Sequence, residues 1–161
     1  QNVDSWDVSS VTSVQNCFQN TYVFNLPLNN WDTSSVNNMI GTFRNSGFNL
    51  PLNNWDTSSV TKMLDMWRGS LTKFNQDLSI WDFSSVTNID RFMQERTNTD
   101  YDATHYDNLL IKWDNSIGGL VFANMVDVNI GMGTIKYTTA GASARASLIS
   151  KGFIITDGGQ I

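Results

Sequence analysis

The sequence predicts an α/β repeat fold: a solenoid with one short strand and one short helix per coil, closed by a divergent C-terminal cap. Three observations carry this expectation. The stretch NLPLNNWDTSSV occurs twice without a change, beginning at Asn25 and again at Asn49. Alignment on tryptophan gives Trp6, Trp31, Trp55 and Trp81, spaced by 25, 24 and 26 residues, which is a solenoid period. Each of these tryptophans is followed by Asp and then, two residues on, by a Ser-Ser-Val ending at Val11, Val36, Val60 or Val86. The coils fall near residues 1–23, 24–47, 48–73 and 74–95, so the array spans 1–95 and a capping region of the same domain spans 96–161.

The helix of each coil is read from the residues after the valine. Apolar side chains recur at +3 and at +6 or +7, as in Val36, Met39, Phe43 and in Val60, Met63, Met66, Trp67, which is helical spacing over two to three turns. Asp32 and Ser34, Asp56 and Ser58, and Asp82 and Ser84 stand just before it, where their oxygens accept the unpaired N–H groups of a first helical turn. The helix is expected to stop before Asn-Ser-Gly at 45–47 and Arg-Gly-Ser at 68–70, where reversal is easiest.

The strand follows Phe24-Asn25, Phe48-Asn49 or Phe74-Asn75, in pieces such as Leu50 to Trp55. Pro27 and Pro51 mark its entrance, because proline is tolerated only where its missing N–H is not needed. Leu52 and Trp55 are three apart, so a bend or bulge must bring them to one side. Stacked coils then place Trp on Trp (6, 31, 55, 81), Val on Val (11, 36, 60, 86), Phe on Phe (24, 48, 74) and Asn on Asn (25, 49, 75). A single unit cannot bury its own apolar face, whereas a stack can.

Beyond residue 95 the period fades. Phe83 already replaces a small polar residue, and MQERTNTDYD interrupts the fourth unit, which is where the cap is expected to begin. Leu109, Leu110 and Trp113 predict a short amphipathic helix, Val121 to Ile130 one or two strands, and Ala140 to Ser150 a helix with Ala144, Leu148 and Ile149 on one side and Gly152 at its end. Phe153 to Thr156 reads as a last strand. A closing unit of this kind shields the apolar face and strand edge that a final coil would expose.

Composition narrows the function. Charged residues are 16 % of the chain, while Asn, Ser and Thr together number 51 of 161, so the surface is neutral-polar. A net charge of −5 argues against nucleic acid as a partner, since phosphate binding needs clustered Lys and Arg. No run approaches the roughly 18 apolar residues of a membrane-spanning helix, so membrane insertion is not expected. The chain opens with Gln1 partway through a repeat, which suggests a processed product or fragment preceded by further coils. The single Cys17 excludes an internal disulfide and aligns with Thr42, Met66 and Phe92, the place of a small buried filler.

No catalytic constellation emerges: His105 is the only histidine, no nucleophile motif is present, and Gly131-Met132-Gly133 lacks the rest of a dinucleotide fingerprint. Neither a cofactor nor a metal is expected. The row Asp7, Asp32, Asp56, Asp82 suggests calcium at coil spacing, but capping explains each carboxylate without an ion. The tryptophan row reads as a core spine and not as an open sugar platform. The best exposed recognition positions are Asn29, Asn30, Asn53, Asn54 and Ser79, a flat array suited to an extended ligand. Thr33 and Thr57 at matching positions raise a weaker option, a surface that binds ice or mineral.

FNLPLNNWDTSSVNNMIGTF and FNQDLSIWDFSSVTNIDRFM resemble the roughly 25-residue unit of BspA-like leucine-rich repeat surface proteins, the type also found in mycoplasma surface lipoproteins. The resemblance covers about residues 2–95. The tail, YDNLLIKWDNS with KYTTAGASARASLISKGFIITDGG, resembles the closing segment of such arrays in Bacteroidetes. The resemblance implies a leucine-rich-repeat-like solenoid, bacterial and outside the cell or on its surface, that is not an enzyme and serves adhesion or recognition of a glycan or protein ligand. The rival expectation is a structural component or cargo of a larger extracellular assembly, such as a virion fibre, a filament or a secretion system.

Overall fold

The computed structural model describes residues 2–116 and 129–161. The four sequence units lie against one another through backbone hydrogen bonds, most of them donated by a unit to the one that follows it, with others such as Asn37 N–H to the Thr12 carbonyl and Gly47 N–H to the Thr21 carbonyl running the other way. Val14, Asn16, Phe18 and Asn20 donate their N–H groups to the carbonyls of Asn38, Ile40, Thr42 and Arg44, at 2.9 to 3.0 Å. Met39, Gly41, Phe43 and Asn45 donate in the same way to Lys62, Leu64, Met66 and Arg68. Met63, Asp65, Trp67 and Gly69 donate to Asn88, Asp90, Phe92 and Gln94. Parallel bridges join Ser13, Asn38, Lys62 and Asn88 across the four units.

These contacts occupy the segment expected to be helical, and among the described residues no α-helix forms between Trp6 and Asp102. The reason is a pair of left-handed residues in every unit, five and nine positions after the Ser-Ser-Val valine: Asn16 and Asn20, Gly41 and Asn45, Asp65 and Gly69, Arg91 and Glu95, with φ between 53° and 116°. Between them the backbone closes tight turns, as in Cys17 N–H to Val14 carbonyl and Gln19 N–H to Asn16 carbonyl. N–H groups along this segment therefore alternate between a partner within the unit and a partner in the next one. The four-residue spacing of the left-handed positions returns apolar side chains to one side nearly as a helix would. The expected strand from Leu50 to Trp55 likewise pairs with no neighbour along its backbone; Leu52 and Trp55 are held by a turn between Trp55 N–H and the Leu52 carbonyl.

The core is a set of columns. Trp6, Trp31, Trp55 and Trp81 stack at 6.5, 6.2 and 6.1 Å between ring centroids. Phe24, Phe48 and Phe74 stack at 6.1 and 6.3 Å. Val36, Val60 and Val86 are fully buried, and Val11 in the first unit is half-buried. The indoles also make polar contacts, since the Nε1–H of Trp31, Trp55 and Trp81 donates to the carbonyl of Val3, Leu28 and Leu52 in the preceding unit. Phenylalanine would fill the column without that bond, so the position favours an aromatic ring with an N–H at its rim.

The closing region comprises α1 (Ala103–Ser116), β1 (Asn129–Gly131), α2 (Thr139–Ser150) and β2 (Ile154–Thr156). β1 and β2 pair in parallel, and α1 packs on α2. The stack passes into this region through Met93 N–H on the Gly131 carbonyl and Thr134 N–H on the Arg96 carbonyl. Phe83 is buried edge-on against Trp113 of α1, at 5.8 Å, which accounts for the apolar substitution in the fourth unit. Ala144 and Leu148 face the core, but Ile149 is exposed. Most of the strand expectation for 121–130 lies outside the described residues; Asn129 and Ile130 belong to β1.

Candidate functional site

The carboxylates after the tryptophans cap turns and not helices. Asp32 Oδ1 accepts from the N–H and the hydroxyl of Ser34 at 3.1 and 2.7 Å. Asp7 does the same for Ser9 and Asp56 for Ser58, while Asp82 accepts from the Ser84 N–H. Hydrogen bonds from the serine hydroxyls and N–H groups lower the pKa of Asp32 and Asp56 from the ordinary carboxylate value. Among the described residues no three Asp, Glu, His or Cys side chains converge as a metal would require.

The Asn column works by reaching forward one unit. Asn25 Oδ1 accepts from Asn49 N–H at 2.8 Å, Asn49 Oδ1 from Asn75 N–H at 2.7 Å, and Asn75 Oδ1 from Asp102 N–H at 2.8 Å. These residues are half-buried or exposed and not fully buried, because they lie at the rim of the column. The last of these bonds ties the closing segment to the stack with the same device that joins the units.

The five expected recognition positions divide into two groups. Asn29 is half-buried and its Oδ1 accepts from Asn54 N–H at 3.0 Å. Asn30 clasps Asp4 through its backbone N–H and its side-chain amide, at 2.9 and 2.6 Å. Ser79 is half-buried beside Asp77, which accepts from Ser79 N–H and from Asn108 of α1. Asn53 and Asn54 keep exposed side chains, next to the exposed Asp56, Ser58 and Ser59. The structure therefore joins Asn53 and Asn54 to the Asp-Ser turns as one exposed polar edge and engages the other three in contacts within the protein.

Two further expectations change. Thr33 and Thr57 are buried, and their hydroxyls donate to the carbonyls of Asp56 and Asp82, so they offer no surface to ice or mineral. Cys17 is exposed, unlike Thr42, Met66 and Phe92 at the same place in later units, because the first unit has a neighbour on one side only.

The sequence reading missed a charged chain across the third and fourth units. Arg91 grips Asp65 with two hydrogen bonds of 2.9 Å, and Arg68 bonds Glu95 and approaches Asp65 at 3.6 Å. Asp65 is buried there. Arg96, next to Glu95 in the chain, is buried and bonded to the carbonyls of Phe74 and Asp100, with Nε and Nη1 unpaired. Burial lowers its pKa to about 10 and raises that of neighbouring Tyr101. The signal for the chain was the charge at positions 65, 91 and 95, where the first two units carry Asn or Gly.

The model of the family described as Mycoplasma protein of unknown function, DUF285, matches residues 1–116. The chain belongs to that family. Family membership is compatible with the mycoplasma-type repeat that the Trp-Asp-x-Ser-Ser-Val units resemble, and the match runs through α1. No curated protein and no solved structure matches the chain. Among the described residues no helix is long and apolar enough to cross a membrane.

Proposed function

We propose that the chain is the closing end of a leucine-rich-repeat-like solenoid of the BspA-like type, a non-catalytic module that acts outside the bacterial cell or on its surface in adhesion or recognition. The observation that supports it best is the exposed edge formed by the Asp-x-Ser-Ser turns with Asn53 and Asn54 beside them, repeated from unit to unit on a backbone held by hydrogen bonds. Amides, hydroxyls and carboxylates on a rigid, regularly spaced edge suit the hydroxyl groups of an extended glycan or the backbone of a protein segment. Each contact is weak, and affinity comes from their number.

Binding of the intact chain to arrayed polysaccharides and to extracellular matrix proteins tests this reading. A bound ligand is expected to lose affinity at least tenfold in the Asn53→Ala, Asn54→Ala double variant. Absence of binding to every probe, together with stable self-association in solution, would favour the rival role as a part of a larger assembly.

A further inference from the structure

The loop that ends the third unit is longer than its counterpart in the second. Between the second left-handed residue and the column phenylalanine the second unit has Ser46 and Gly47, and the third has Ser70 to Lys73. Gly47 and Lys73 hold the same place, since each donates its N–H to the preceding unit, to the carbonyls of Thr21 and Ser46. At Gly47 the loops are in close contact: an added Cβ would stand 2.1 Å from the Tyr22 carbonyl oxygen. At Lys73 the side chain is exposed, and a depression of about 210 Å³ opens beside it. Asn49, Thr72, Lys73 and Asn75 line one wall, and Thr99 and Asp100, from the segment that interrupts the repeat, line the other.

The groups left over in this depression include donors and an acceptor. Asn49 Oδ1 accepts from the Asn75 N–H and from Gln76 Nε2, and Asn75 Oδ1 accepts from the Asp102 N–H. Each asparagine therefore offers its Nδ2 donors, which have no partner among the described residues, as Lys73 Nζ has none. Asp100 accepts from the Thr97 N–H and hydroxyl with Oδ2 alone, which leaves Oδ1 as an acceptor. The buried Arg96 bonds the carbonyls of Phe74 and Asp100, one from each wall, so the gap is set before any ligand arrives.

We propose that this depression holds one ring of a neutral sugar, bound through adjacent hydroxyl groups. A hydroxyl donates and accepts at once, so a pair of them satisfies the Asp100 carboxylate on one side and the amide and ammonium donors on the other. A lone anion would meet Asp100, and a lone cation would meet Lys73. The lining is polar, with no aromatic or aliphatic floor, which excludes a flat apolar ligand. Its volume lies below the roughly 300 Å³ at which pockets for larger organic ligands begin, which suits a single ring. The site goes beyond the polar edge of Asn53 and Asn54 and shares no residue with it.

The test titrates the intact, nitrogen-15-labelled chain with the methyl glycosides of glucose, galactose, mannose and N-acetylglucosamine, and with glycine, glucuronate and phosphate for comparison. At least one glycoside is expected to move the side-chain amide signals of Asn49 and Asn75 saturably. Asp100→Asn keeps an acceptor for Thr97 but replaces the free oxygen by a donor, and should weaken that binding about tenfold. Lys73→Ala, at an exposed side chain, should weaken it about threefold. Undiminished binding in Asp100→Asn would overturn the proposal, as would saturable shifts with glycine, glucuronate or phosphate and with no glycoside. Shifts at Asn53 and Asn54 without any at Asn49 and Asn75 would remove this site and leave the polar edge standing, so the two readings fall separately.

Discussion

The third and fourth units place the same backbone bend under different control. Nine positions after its valine the third unit has Gly69 at φ 116°, a conformation open to glycine, and the fourth has Glu95 at φ 73°. Five positions after the valine the corresponding residues are Asp65 and Arg91. Ordinary side chains in the left-handed region lose about 1–2 kcal/mol each, and here the Arg91–Asp65 and Arg68–Glu95 pairs hold them in it. One backbone can thus be specified locally, by residues that permit the bend, or by tertiary contacts that impose it. The second route is used where the repeat meets the closing region and the geometry must be fixed from both sides.

The comparison can be broken most severely at the column itself. Trp55→Ala removes a buried ring between two others and the donor to Leu28, and is expected to lower unfolding free energy by about 3–5 kcal/mol in urea denaturation. Gly69→Ala comes next. An added Cβ would stand 1.9 Å from Asn45 Oδ1 in a left-handed conformation, so a loss of about 2–3 kcal/mol is expected by the same measurement. Asp65→Asn keeps a residue type that accepts positive φ but removes the partner of Arg91, and should cost about 1–2 kcal/mol. Glu95→Gly tests the opposite sign at the position equivalent to Gly69: relief of the bend offsets the partly exposed Arg68 pair, and stability should hold or rise by up to about 1 kcal/mol. A loss as large as that of Gly69→Ala would show that the ion pair, not the backbone, governs the fourth unit.

The smallest effect is on pH. The folded-state pKa values of Asp32 and Asp56 lie below the ordinary carboxylate value, so the native state binds fewer protons in that range. Their contribution is present above about pH 4, the usual unfolded value, and is lost as pH falls through the lowered ones. The thermal midpoint should therefore decline more steeply below pH 4 in the wild type than in the Asp32→Asn, Asp56→Asn double variant.

Period, columns and closing helices were legible because they depend on side-chain identity at fixed intervals. Trp31, Phe48 and Val60 repeat for the same reason that they stack. The conformation within each unit was not legible from hydrophobic spacing, since turns built on left-handed residues four apart return side chains to the core almost as a helix does. Asn16, Asn20, Gly41, Asn45 and Gly69 carried the missing signal, as Asn and Gly are the residues that enter that region most readily. Asn29 and Asn30 looked free because a sequence does not show which amides the neighbouring unit claims. Cys17 looked buried because its equivalents are, and alignment cannot tell the end of a column from its middle.

The bonds between units change direction within each unit. Along 14–20, 39–45 and 63–69 the N–H groups point toward the closing region, while at either end of that segment Asn37 N–H meets the Thr12 carbonyl and Gly47 N–H the Thr21 carbonyl from the other side. Each unit is therefore gripped by donors from both directions, and sliding one unit along its neighbour would break bonds of both senses at once.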